Sequence, residues 1–370
     1  MQGQLEMRSA GIENNSDKGK KMITEDYLLN FQEAEIIGDR IIFWALNSNG
    51  IFSYDLKNKT LDCLSKTEKY DNAEFLFNGC AAYNSKIFFS PFNSSSICIY
   101  ETETDEIEYI KLEKKGLFSS VFVYGDKIYF WGFGKNNVKV MLYPSHILQD
   151  LDELTDVSIT SKPLIVENKV YFTIDEMGGF CEYDLSDGSK FRVHKLESDC
   201  KFNTISYAGD CLWFSGDKKK IIAWNTIDNE VQSYPLTLTN VNQDITWNEF
   251  FFDNSFVMGK YVYYLPKKTN EIIRIRIDSG TIEIVYVIDG ANGGNFIRIS
   301  DEYGLIVVEG GNHDAICDIF VEKRGTLVRN DEIKVPKGSE LEKYICWGSL
   351  ESRFNTLNRF IRSLTQTNLR

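Results

Sequence analysis

One phrase recurs along this chain, and it leaves few folds open. It is a polar turn, a pair of bulky apolar residues, a polar loop, and then an aromatic or aliphatic residue followed by a polar one. The turn and the apolar pair read Gly38-Asp39 with Phe43-Trp44, Asn84-Ser85 with Phe88-Phe89, Gly125-Asp126 with Tyr129-Phe130 and Glu167-Asn168 with Tyr171-Phe172. Later copies are Gly209-Asp210 with Trp213-Phe214, Gly259-Lys260 with Tyr263-Tyr264 and Tyr303-Gly304 with Ile306-Val307. The closing residue falls at Tyr54, Tyr100, Tyr143, Tyr183, Trp224, Ile275 and Val321, with spacings of 46, 43, 40, 41, 51 and 46. Short strands repeated every ~40–50 residues mark a β-propeller.

Each unit reads as four strands. A short apolar strand precedes the turn, as in Ala34-Glu35-Ile36-Ile37, and the bulky pair lies on the second. Adjacent apolar residues there predict a strand buried on both faces. The third strand ends in the closing pair, such as Tyr54-Asp55 or Tyr183-Asp184, and a hairpin turn rich in Asn, Asp and Gly leads to the fourth. Those residues tolerate the positive φ that tight hairpins require. The expectation is an all-β, seven-bladed propeller of four-stranded blades over 26–336. Ring closure stays open between an in-frame last blade and addition of a segment such as 23–29. The third unit departs from the pattern, since Pro144 follows Tyr143 and the next residues have helical character. A short helix or irregular loop is expected in place of its outer strand.

The ends differ from the repeats. Residues 1–25 are polar and aperiodic, which predicts a loosely attached arm. In 337–370, Trp347, Leu350, Phe354, Leu357, Ile361 and Leu364 alternate spacings of three and four, the seam of an amphipathic helix. Packing on the protein's own surface, homo-oligomerisation through 340–364, and binding of another protein are the three roles open to it.

Charge narrows the partners. There are 54 acidic against 41 basic residues, a net charge of -13, which argues against nucleic acid or an anionic membrane surface. Lys218-Lys219-Lys220 is the one basic run in the repeats. Eight cysteines lie scattered without a CxxC pair, as expected of reduced thiols in a cytoplasmic protein. The first residues show no apolar signal core and no segment is apolar enough to span a membrane, so neither secretion nor a membrane is expected.

The phrase of turn, Ile-Tyr-Phe, loop and Tyr-Asp is carried best by Gly125-Asp126-Lys127-Ile128-Tyr129-Phe130 and Phe180-Cys181-Glu182-Tyr183-Asp184-Leu185. It resembles kelch-like propellers and related degenerate bacterial repeat proteins over roughly residues 30–335. The chain departs from true kelch repeats: the Gly-Gly doublet occurs only at Gly178-Gly179 and Gly310-Gly311, and the fourth-strand Trp is missing. The resemblance implies a propeller and commonly a binding role; it carries over no catalytic residue.

In such a fold the loops joining second to third strands converge around the central channel, and function pools there. Glu309-Gly310-Gly311-Asn312-His313-Asp314 brings two carboxylates and an imidazole into one loop, with His313 a candidate base or ligand oriented by Asp314. A solvated turn is the plainer reading. Asp175 and Glu176 are the carboxylates that could complete an acid–base pair with Asp314 across the channel. Asp289-Gly290-Ala291-Asn292-Gly293-Gly294-Asn295 is rich in oxygen, but it lacks the alternating acidic spacing of a Ca²⁺ loop. Trp131, Phe133 and Trp247 could stack on a ligand face, or be buried between blades. The three histidines, His146, His194 and His313, are too dispersed for a metal site, and no metal is expected. No nucleotide or hydrolase fingerprint appears, so no cofactor is expected.

Two functions follow as expectations. The first is a non-enzymatic module that binds a protein or glycan through its loop face, using Trp131, Trp247, Asn292, Asn295, Asn312 and His313, with the terminal helix as a second contact. The alternative is a hydrolase or lyase acting on a carbohydrate or small polar substrate at the channel mouth, with His313, Asp314, Asp175 and Glu176 in the catalytic roles.

Overall fold

The computed structural model describes residues 27–29, 31, 33–45, 50–66, 76–188, 190–239, 241, 249–287, 296–300, 305–309, 317–323, 326–335 and 339–341. Its strands form four-stranded antiparallel sheets, each made of four consecutive strands paired in order. The first sheet comprises Ala34–Ile37, Arg40–Trp44, Gly50–Asp55 and Thr60–Lys66. The second begins with Phe77–Tyr83, the third with Phe118–Tyr124 and the fourth with Leu164–Val166. The fifth begins with Phe202–Ala208, the sixth with Phe252–Met258 and the seventh with Phe296–Ser300. The first strand of the seventh sheet lies beside that of the first sheet, as those of the fifth and sixth lie beside each other. Among the described residues no helix is long and apolar enough to cross a membrane.

The repeated phrase has a local cause at each of its parts. The turn after the first strand needs a left-handed residue, supplied by Gly38 (φ 61), Asn84 (φ 54) and Gly125 (φ 62). The carbonyl of the residue after it then accepts from the residue that follows the third strand. Leu56 N donates to Asp39 O at 2.9 Å, Leu185 N to Asn168 O at 2.7 Å and Ile277 N to Lys260 O at 3.0 Å. The polar residue of the closing pair folds over the next hairpin. Asp55 Oδ1 accepts from the backbone N–H of Lys57 and Asn58 at 2.8 and 2.7 Å, and Asp184 Oδ1 from that of Ser186 at 2.9 Å. These are Asx turns, which explain why Asp or Asn follows the aromatic residue.

The core is divided among the gaps between sheets. In Arg40–Trp44, Ile41 and Phe43 pack on one side with Phe31, Phe52 and Tyr54, while Ile42 and Trp44 pack on the other with Phe77 and Phe89. Period-two geometry therefore sends alternate residues of one strand into two different cores. A strand buried on both faces has no polar side to alternate with, as its sequence predicts.

One expectation is corrected, and one open choice is narrowed. The third sheet keeps its outer strand: Ile147–Asp150 pairs in register with Val138–Leu142. Pro144 sits in the connecting turn, where no ladder donor is required, and His146 N closes that turn on Leu142 O at 2.8 Å. The helical character shrinks to the single 3-10 turn Asp152–Leu154. No described residue that precedes the first sheet extends the last one. Tyr27–Leu28 instead pairs with Lys334–Val335 as a separate two-stranded clasp. Leu29, Phe31, Ile333 and Val335 then pack into the core of the first sheet, joined by Leu341. The 1–25 arm and nearly all of the 340–364 seam lie outside the described residues.

Candidate functional site at the mouth of the central channel

The first strands carry a second repeat, shorter than the one that defines the sheets. Each of four sheets opens on a buried Phe followed by polar residues: Phe77-Asn78-Gly79, Phe118-Ser119-Ser120, Phe202-Asn203-Thr204 and Phe252-Asp253-Asn254. At each the antiparallel register slips. Phe118 pairs with Gly132 but Ser120 with Trp131; Phe202 pairs with Gly216 but Thr204 with Ser215. Phe252/Asn254 and Phe77/Cys80 slip at the same place. A bulge leaves its extra residue outside the ladder and turns its side chain out of the normal alternation. Here the extra residues Asn78, Ser119, Asn203 and Asp253 all line one cavity of about 800 Å³, with Glu33, Ser161 and Lys162 contributed by the segments that lead into the first and fourth sheets.

Close packing of these strands needs a small residue at one point. A Cβ on Gly79 would lie 2.5 Å from Ser120 Cα and 2.6 Å from Glu33 Oε2. Gly79 N also donates to Ser90 Oγ at 2.7 Å, fixing the bulge. Gly79→Ala is expected to cost about 1–3 kcal/mol by overpacking, read as a lower urea midpoint with unchanged slope.

Charge on the wall is organised in pairs. Glu33 Oε1 meets Lys162 Nζ at 2.9 Å, joining the first sheet to the fourth, and Glu33 Oε2 accepts from Cys80 N at 3.2 Å. Lys267 pairs with Asp253. The carboxyl of Glu35 is pushed up to about 7, chiefly by burial and further by the Glu33 charge, against a stabilising bond from the Ala82 backbone. Burial, with Glu35 and Glu33 nearby, holds the Cys80 thiol far above its usual range, so it is no nucleophile. Two acceptors are left over. Asn78 and Asn203 are more than nine-tenths buried, and among the described residues the Oδ1 of each has no hydrogen-bond partner. The arrangement can receive a polar ligand, and Glu35 can exchange a proton near neutral pH.

The residues singled out from the sequence scatter. Trp131 is fully buried, with ring centroids 5.0 Å from Phe172 and 6.0 Å from Phe122, and offers a ligand no face. Its neighbour Phe133 is 47% exposed and does line the cavity. Asp175 pairs with Lys201 at 2.8 Å and Glu176 with Lys195 at 2.6 Å; both are exposed, and neither lines the cavity. His146 meets Glu108 at 3.3 Å, while His194 stacks 4.7 Å from Phe180, on different sheets. Lys220 and Lys218 of the basic run pair with Asp199 and Asp217. Trp247, Asn292, Asn295, Asn312, His313 and Asp314 lie outside the described residues. Among the described residues no group of three or more His, Cys, Asp or Glu side chains is placed to hold a metal ion. The Phe-polar-polar openings were the legible signal for the wall, and they lie on the first strands, whereas the long loops draw attention first.

This architecture is the β-propeller. Solved structures similar to it include a streptogramin B lyase, at TM-score 0.57 and 14% identity over 76% of this chain and 90% of that one. Virginiamycin B lyase from Staphylococcus aureus gives 0.55 and 13% over 80% and 94%. Hsv2 from Kluyveromyces lactis gives 0.55 and 12% over 83% and 100%. At such identities the likeness is one of fold. No protein-family model matches the chain, and no curated protein matches its sequence.

Proposed function

We propose that the protein is a non-enzymatic, cytoplasmic binding module: a seven-bladed, kelch-like ring whose channel mouth takes a small polar ligand of the glycan type. The observation that carries this reading is the set of four bulges, which turn Asn78, Ser119, Asn203 and Asp253 toward one cavity. A side chain outside the ladder can meet a ligand without breaking a sheet. Phe133 at the rim supplies an aromatic face of the kind that sugar rings stack on. The loops beyond the mouth and the 340–364 seam are the surface for a protein partner or a second copy.

A glycan array followed by titration calorimetry tests the reading. Asn78→Ala is expected to weaken the bound glycan about tenfold, equivalent to one lost hydrogen-bonding group of ~1.4 kcal/mol, with the fold intact. Unchanged affinity in this variant would remove the mouth as the site. Deleting residues 337–370 should lower the native mass in light scattering where the seam joins copies.

A second reading, a hydrolase or lyase, is favoured by one observation, the Glu35 carboxyl held at about 7 beside Glu33. A group titrating there suits general acid–base chemistry at neutral pH. The lyase neighbours share the fold, which by itself assigns no chemistry. Turnover abolished in His313→Ala would establish the enzyme reading over the binding one.

A further inference from the structure

We infer that the ligand selected at this mouth is a small cation, a sugar-like molecule carrying a primary amine. The inference rests on the binding reading above and adds the ligand's charge.

The wall's hydrogen-bonding capacity is unbalanced. Its two lysines are already engaged, Lys162 by Glu33 and Lys267 by Asp253. Glu249 adds a third carboxylate to the lining, so among the described residues the cavity holds three acids against two bases. The charge of Glu33 is also felt at Glu35. The Oδ1 atoms of Asn78 and Asn203 are acceptors without donors. The Asn203 amide cannot turn to offer its N–H₂ instead, because Nδ2 is committed to Phe252 O at 2.7 Å.

Among the described residues the lining carries one more carboxylate than ammonium groups, and two buried acceptors that no described donor meets. A neutral sugar brings hydroxyls that both donate and accept, and it leaves the net charge uncompensated. An ammonium brings three donors and no acceptor, with the charge that the third carboxylate calls for. An anionic ligand would have to displace a carboxylate from one of the lysines. The half-exposed Phe133 ring at the rim suits a cation equally well.

The test uses three matched probes on the full chain: glucosamine, N-acetylglucosamine and glucose, titrated by calorimetry up to about 10 mM, a ceiling set by affinities near the millimolar level. Glucosamine is expected to bind about tenfold more tightly than the other two, one lost charge-assisted contact corresponding to roughly that factor. Glu33→Gln and, separately, the exposed Glu249→Gln should each erase that preference. Thermal melts of both variants separate lost recognition from lost folding, and Glu249 lies in no sheet. Equal binding of the three probes overturns the amine inference while leaving a glycan-binding mouth in place. Binding of none overturns it as well, and together with a blank glycan array it also removes the reading on which it rests. A preference for glucosamine that survives in both variants overturns the assignment of the charge to this wall.

Discussion

Trp131→Ala is expected to lose about 3–5 kcal/mol of unfolding free energy, the cost of a large aromatic truncated in a packed core. Trp131 is fully buried at the seam between the third and fourth sheets, in one cluster with Phe122, Val138, Ile159 and Phe172. Removing it opens a cavity between the two sheets. Urea unfolding followed by circular dichroism would report the loss as a lower midpoint. Trp131→Phe separates packing from polarity. The indole Nε1 is buried without a partner, so phenylalanine removes an unsatisfied donor along with some volume. The cost should then fall to below about 1.5 kcal/mol, because an orphaned donor is itself expensive to bury. A wild-type midpoint for Trp131→Ala would show that the seam does not depend on this ring.

The second large effect is one of pH. The Glu35 carboxyl titrates near 7 in the folded protein against an ordinary value of 4.5. Between those values the folded protein holds a proton that the unfolded chain has released. Its contribution is fully present below the unfolded value and drains away as pH rises through the folded one. At about 1.4 kcal/mol for each unit, the shift amounts to about 3 kcal/mol by pH 8. Glu35→Gln should therefore match the parent at about pH 4.5 and exceed it by about 3 kcal/mol at pH 8. The half-buried Asp55 and Asp184 and the exposed Asp199 and Asp278, all held below their usual range by hydrogen bonds, push the other way in acid. The difference between parent and variant cancels them. Parallel stability curves for the two proteins across that range would refute an abnormal Glu35.

The sheets were legible in the sequence because their causes are local. A left-handed turn residue, a two-faced apolar strand and an Asx turn each leave a mark within a few positions, and the marks recur. Pro144 misled because its effect depends on whether it falls in a ladder or in the turn beside one, a shift of a few residues. The clasp of Tyr27–Leu28 on Lys334–Val335 joins residues some three hundred positions apart, and two-residue strands have no periodicity to read. The channel wall was harder for a different reason. A bulge changes the face to which a side chain points without changing composition, so Asn203 looks like any polar residue near a strand end. Only alignment of Phe77, Phe118, Phe202 and Phe252 brings the polar residues after them into one column. Trp131 stood out for its size, and size in this fold is spent mainly between sheets.

The bulges also bear on how such a protein changes over generations. Residues within the sheets are bound to two cores at once, and a substitution there is felt on both sides. The extra residues at the mouth belong to neither core and contribute little to the ladder. Asn78, Ser119 and Asp253 can in principle be exchanged one at a time while the ring stays as it is. A lineage built on this frame would keep its Phe column and its turns, and would drift or adapt at the position just after each Phe. Ligand choice would then be inherited separately from architecture.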